Sequence, residues 1–98
     1  MSEHDSGFLQ TLETIIIERL EKPDPSSYTS SLAASGDKRI AQKVGEEAVE
    51  LALSAVAGER QEILDEAADL VYHLLVLINA QGLRLADVVA TLEERHVK

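Results

Sequence analysis

The sequence predicts an all-α protein, a bundle of four to five helices in one domain, completed by dimerisation. Three observations carry this expectation. Apolar residues make up 45% of the 98-residue chain but aromatics only 3%, so the core must be Leu, Ile, Val and Ala, which favours packed helices over a sheet sandwich. Apolar residues recur three and four positions apart along most of the chain, the α-helical period. The stretch from Leu70 to Ile78 is apolar nearly all round. A helix of that kind is central or covered by another subunit, and in a chain this small a second subunit is expected.

Taken in order, residues 1–6 are expected to fray, with Ser6 an N-cap for a helix over about Gly7–Glu21. Phe8, Leu9, Leu12, Ile15, Ile16 and Leu20 form its apolar stripe. Arg19 sits where a cation offsets the helix dipole or meets a phosphate. Pro23 and Pro25 break the chain into an extended linker. Ser26 or Ser27 then caps a short helix carrying Tyr28, Leu32 and Ala33. The hydroxyl-rich run SSYTSSL either binds phosphate and sugar or serves local capping, and spacing favours capping.

Ser35-Gly36-Asp37 reads as turn and cap before a long helix from about Lys38 to Ala57, with Ile40, Val44, Ala48, Leu51, Ala52 and Ala55 as its buried stripe. Gly45 weakens that helix, and its missing side chain would permit close helix–helix approach. Gly58 stops the helix, and the next runs from about Arg60 to Ala80. Gly82 suits the C′ position. A last amphipathic helix is expected over Leu83–Glu94, with Leu85, Val88, Val89 and Leu92 inward and residues 95–98 frayed.

Two acidic groups lie within this pattern. Glu46, Glu47 and Glu50 form the first, and Asp65, Glu66 and Asp69 the second. Residues three or four apart share a helix face, so Glu47 with Glu50 makes one acidic edge and Glu66 with Asp69 another. Folding the chain back at Gly58 brings the edges together. Crowded carboxylates take up protons or recruit a cation, and Mg²⁺ suits all-oxygen ligands with phosphates as further ligands. The other reading is that these acids are the solvated faces of two amphipathic helices. Lys38, Arg39 and Lys43 lie just upstream of the first group. Lys43 either pairs with Glu46 and Glu47 within its helix or meets phosphate oxygens. His73, one turn beyond Asp69, either bonds to it or is a satisfied interface histidine.

Charge and composition narrow the partners. A net charge of −9 disfavours binding to a nucleic-acid backbone or an anionic membrane. No run resembles a signal peptide or spans a bilayer, so a soluble, cytoplasmic protein is expected. The absence of cysteine excludes thiolate metal sites, disulfides and cysteine nucleophiles.

SYTSSL, Gly36, KRIAQKVGEEAVEL and DEAADLVYHLLVL together resemble the phosphoribosyl-ATP pyrophosphohydrolase family, from about Leu9 to Leu92. EExxE followed by ExxD marks the wider MazG-like superfamily; the KVGEEAVE and LVYHLLVL strings point to this member. The resemblance implies a dimeric helical bundle and Mg²⁺-dependent hydrolysis of phosphoribosyl-ATP to phosphoribosyl-AMP and pyrophosphate, the second step of histidine biosynthesis. It implies Glu47, Glu50, Glu66 and Asp69 as metal ligands. Glu46 would be a further catalytic acid that orients or deprotonates water, with Lys43, Lys38 and Arg39 on substrate phosphate. Relatives are often fused to phosphoribosyl-AMP cyclohydrolase, which holds zinc through cysteines, so this chain is expected to carry only the pyrophosphohydrolase activity. Two alternatives remain: a housekeeping enzyme acting on non-standard nucleoside triphosphates, and a non-catalytic acidic oligomerisation module.

Overall fold

A computed structural model describes residues 7–96, and all regular structure among them is helical. The helices are α1 (Gly7–Glu21), α2 (Tyr28–Ala34), α3 (Asp37–Ala57), α4 (Arg60–Ala80) and α5 (Leu85–His96). The expected cap at Ser6 and the frayed positions 1–5, 97 and 98 lie outside the described residues.

The loops follow local chemistry. Ser27 caps α2 by accepting from the Ser30 amide. Gly58 ends α3 in the left-handed region at φ 81°, where an L side chain is strained, and its amide donates to the Ser54 carbonyl. The end of α4 is a Schellman motif: Gly82 N–H bonds to Asn79 O at 3.0 Å and Leu83 N–H to Ile78 O at 2.9 Å. This motif uses Leu83, so the last helix begins at Leu85, two residues later than the apolar pattern implied. Asp87 accepts from the Arg84 amide and Glu13 from the Leu85 amide, which secures the new start. The helix then runs through Arg95 and His96, whose charges suit a C-terminus, and does not fray at residue 95.

The main packing is α3 against α4, folded back on each other at Gly58, with α1 and α2 closing one side. Ile16, Leu32, Ile40, Leu75 and Val76 form the buried apolar centre. The inward side of α3 departs from expectation. It runs through Ile40, Val44, Glu47, Leu51 and Ser54, while Ala48, Ala52 and Ala55 face outward. The helix is rotated so that a carboxylate occupies a seam position, which the apolar pattern alone did not weigh. Val49, Leu53 and Val56 are consequently 60%, 65% and 88% exposed. Phe8 and Ile15 of α1 are also exposed. On α5, Leu85 and Val88 are half-buried, but Val89 and Leu92 point outward because the chain turns by 104° between α4 and α5 and carries α5 away from the bundle. The radius of gyration is 14.6 Å. A closed domain of about 100 residues has roughly 13 Å. The single chain is an open bundle with much apolar surface uncovered.

Candidate metal and phosphate site

The rotation of α3 puts Glu47 against α4, where it is only 7% exposed. Glu66 and Asp69 approach from α4, and one carboxylate oxygen from each of the three lies within 4.8 Å of the others. Glu47 Oε1 and Glu66 Oε1 are buried and accept no hydrogen bond from the described residues. Such orphaned acceptors are costly. Glu50, exposed one turn further along α3, is not among the three converging acids, but its charge acts on Glu66.

Charge in this group is unevenly distributed. Burial, then Glu50 and Glu47, push the Glu66 carboxyl up to about 7. Burial also opposes ionisation of Glu47, but the hydrogen bond and charge of Lys43 outweigh it and hold Glu47 below the usual carboxylate value. Lys43 Nζ lies 3.3 Å from Glu47 Oε2 and 3.5 Å from Glu46 Oε1. The bond to Glu47 raises its pKa, so it remains an ammonium. Both oxygen-only chemistry and the two donorless oxygens fit a hard divalent cation held by Glu47, Glu66 and Asp69, with Glu50 adjacent.

Glu46 lies apart from this group. Its exposed carboxylate accepts from Gln42 at 2.9 Å and pairs with Lys43 and, at 3.8 Å, Arg39. Lys38 is exposed in the first turn of α3. Gly45 does not serve close packing of this chain's helices: a Cβ there would meet nothing within 4 Å among the described residues, because the position faces away from α4. It opens instead onto a surface cavity of about 510 Å³ lined by Gln42, Gly45, Glu46, Val49 and Glu50.

The hydroxyl-rich run is used for local structure. Ser26 bonds to Asp24, and Ser30 Oγ accepts from the Asp24 amide and donates to the Arg19 carbonyl. Arg19 itself pairs with Glu18 at 2.9 Å. His73 bonds to Asp69 through the backbone carbonyl at 2.7 Å, not through the carboxylate. An aromatic group of Tyr28, Tyr72 and His73 stands beside the acids; the sequence placed Tyr28 only within the hydroxyl-rich run and gave Tyr72 no role. The signal was present: Tyr72 and His73 follow Asp69 by three and four residues, on its face of the helix.

Residues 9–96 match the phosphoribosyl-ATP pyrophosphohydrolase family. The chain is 54% identical over 87 residues to a phosphoribosyl-ATP pyrophosphatase of Pyrobaculum neutrophilum, covering 89% of this chain and 93% of that protein. It is 56% identical over 94 residues to the histidine biosynthesis bifunctional protein HisIE of Vibrio cholerae, covering 96% of this chain and 45% of the relative. The Escherichia coli HisIE protein is 53% identical over 93 residues, 95% of this chain and 46% of the relative. The chain thus spans about half the length of the bifunctional relatives it matches.

Proposed function

Because the chain belongs to the phosphoribosyl-ATP pyrophosphohydrolase family, we propose that it hydrolyses phosphoribosyl-ATP to phosphoribosyl-AMP and pyrophosphate in histidine biosynthesis. The observation that carries the reading is the convergence of Glu47, Glu66 and Asp69 oxygens within 4.8 Å, two of their residues holding buried oxygens that lack a donor.

Glu47, Glu50, Glu66 and Asp69 would hold Mg²⁺. When bound, the cation supplies neutralisation of the triphosphate and acidity for a coordinated water. The chain's own residues do the rest. Lys43 keeps its positive charge at the edge of the acids and meets phosphate oxygens there. Lys38 and Arg39, about one turn earlier, extend that charge along the groove. Glu46 orients either water or the neighbouring cations, and its contacts with Gln42, Lys43 and Arg39 favour the second role. Water cleaves the anhydride between the α and β phosphorus atoms, and no protein nucleophile is required. Positioning and electrostatics are the protein's contribution to such a reaction.

The protein acts as a cytoplasmic homodimer in this reading. The exposed apolar residues Phe8 of α1 and Leu64 and Val71 of α4, which line a groove of about 390 Å³, support a second copy as their cover. Among the described residues no single helix is long and apolar enough to cross a membrane.

The test is pyrophosphate release from phosphoribosyl-ATP against a panel of plain nucleoside triphosphates, with and without Mg²⁺. Preference for phosphoribosyl-ATP supports the biosynthetic role; preference for plain triphosphates assigns the chain to housekeeping. The double variant Glu47→Gln, Glu50→Gln should fold and lose activity. If the parent turns over nothing and its melting temperature ignores Mg²⁺, the acids serve only a non-catalytic oligomerisation module.

A further inference from the structure

Near the start of α2, structural bonds absorb Ser26, Ser27 and Ser30, and Thr29 is buried against the Tyr72 hydroxyl. Tyr28 differs from them. The residue is 53% exposed although its hydroxyl is firmly held. The hold can be traced proton by proton. The Asp69 carbonyl only accepts, so the His73 Nδ1 at 2.7 Å carries the hydrogen. His73 Nε2 is then bare and accepts from the Tyr28 hydroxyl at 3.0 Å. Tyr72 lies 6.1 Å away, and the His73 ring meets Tyr28 edge-on at 5.8 Å.

The result is an aromatic ring fixed at one end with much of its surface open. Its location is specific. His73 bonds to the backbone of Asp69, whose carboxylate belongs to the acidic group, so a single hydrogen-bonded side chain separates the Tyr28 hydroxyl from a residue of that group. A nucleotide whose phosphates meet Lys43 and the acids therefore has its remaining parts near Tyr28. Bases stack readily on aromatic rings, and a ring already immobilised loses little further freedom in doing so.

We propose that Tyr28 is the platform on which the adenine base of the nucleotide stacks, a subsite that rests on the pyrophosphohydrolase function above. His73 is the positioning residue that holds the platform through its bare nitrogen.

The test separates the ring from its hydroxyl. Tyr28→Leu should raise KM by roughly tenfold to a hundredfold, the loss typical of one base stack. Tyr28→Phe keeps the ring and should stay within about threefold in KM, far short of a lost stack. A second readout needs no turnover. The chain has no tryptophan and only two tyrosines, so in Tyr72→Phe the emission comes from Tyr28 alone. AMP with Mg²⁺ should quench it, while ribose 5-phosphate, which lacks the base, should not. An unchanged KM in Tyr28→Leu, equal defects in the Leu and Phe variants, or equal quenching by the two ligands would each overturn the platform. If the parent prefers plain triphosphates, the substrate assignment fails, yet the same KM and quenching measurements on those nucleotides still decide the role of Tyr28.

Discussion

If Glu66 holds a divalent cation as proposed, protons compete with the cation for its carboxylate, and the competition has a calculable size. Burial together with Glu50 and Glu47 places its pKa at about 7. For one competing proton, the apparent metal dissociation constant scales as 1 + 10^(pKa − pH). At pH 8 it lies about 10% above its limit and at pH 6 about elevenfold above it, so Mg²⁺ affinity should fall roughly tenfold between these values. Isothermal titration at pH 6, 7 and 8, in buffers of different ionisation enthalpy, measures both the affinity and the protons released. About one proton should leave at pH 6 and almost none at pH 8. Without metal, stability must move the other way from that of an ordinary ion-paired acid. The folded carboxyl binds its proton more tightly than the ordinary carboxyl, whose pKa is 4.5. The folded chain therefore holds the extra proton between pH 4.5 and about 7. The stability of the metal-free protein should decline as pH rises through that window and level off above it. Mg²⁺ should restore what is lost. In Glu66→Gln both dependences should flatten. A Mg²⁺ affinity constant from pH 6 to 8, or a metal-free protein that melts higher at pH 8 than at 5.5, would refute the crowding of Glu66 by its neighbours.

Three further outcomes follow from particular contacts. Lys43→Met should fold but lower kcat/KM by about tenfold or more, since it removes a charge-assisted contact of roughly 1.5–3 kcal/mol; steady-state kinetics alongside circular dichroism checks this. Ser30→Ala removes bonds to the Asp24 amide and Arg19 carbonyl and should cost about 1–3 kcal/mol in urea unfolding, with activity per folded molecule retained. Lost activity in a stable Ser30 variant would revive the phosphate-binding reading of that segment. Gly45→Ala should stabilise the chain by about 1 kcal/mol in thermal unfolding, because the added methyl meets nothing within 4 Å. Destabilisation instead would mean that another molecule packs against this face.

The helices were legible because each boundary is chemical: Pro23 and Pro25, Ser27, Gly58 and Gly82 mark them in the sequence. The acidic edges were legible because a three-residue spacing on a helix fixes a shared face. The rotation of α3 was not. Apolar pattern alone points Ala48, Ala52 and Ala55 inward, yet small side chains bind a helix face weakly, and Glu47 takes the seam with Lys43 beside it. The separation of Glu46 from its neighbour Glu47 follows from that rotation, since adjacent helical residues diverge by about 100°. The tyrosines were missed because Tyr28 and Tyr72 are far apart in the chain, and only the packing of α2 on α4 joins them.

The tight reversal at Gly58 has a consequence for how this domain is built and carried. Every acid assigned to the cation lies within a single uninterrupted helical hairpin, so the pocket assembles from neighbours in the chain and closes only a short loop. Among the described residues, neither α1 nor α5 contributes an acid to it. A unit of that kind can be joined to other polypeptide at its ends without disturbing its chemistry, in keeping with its occurrence as about half of the two-activity relatives.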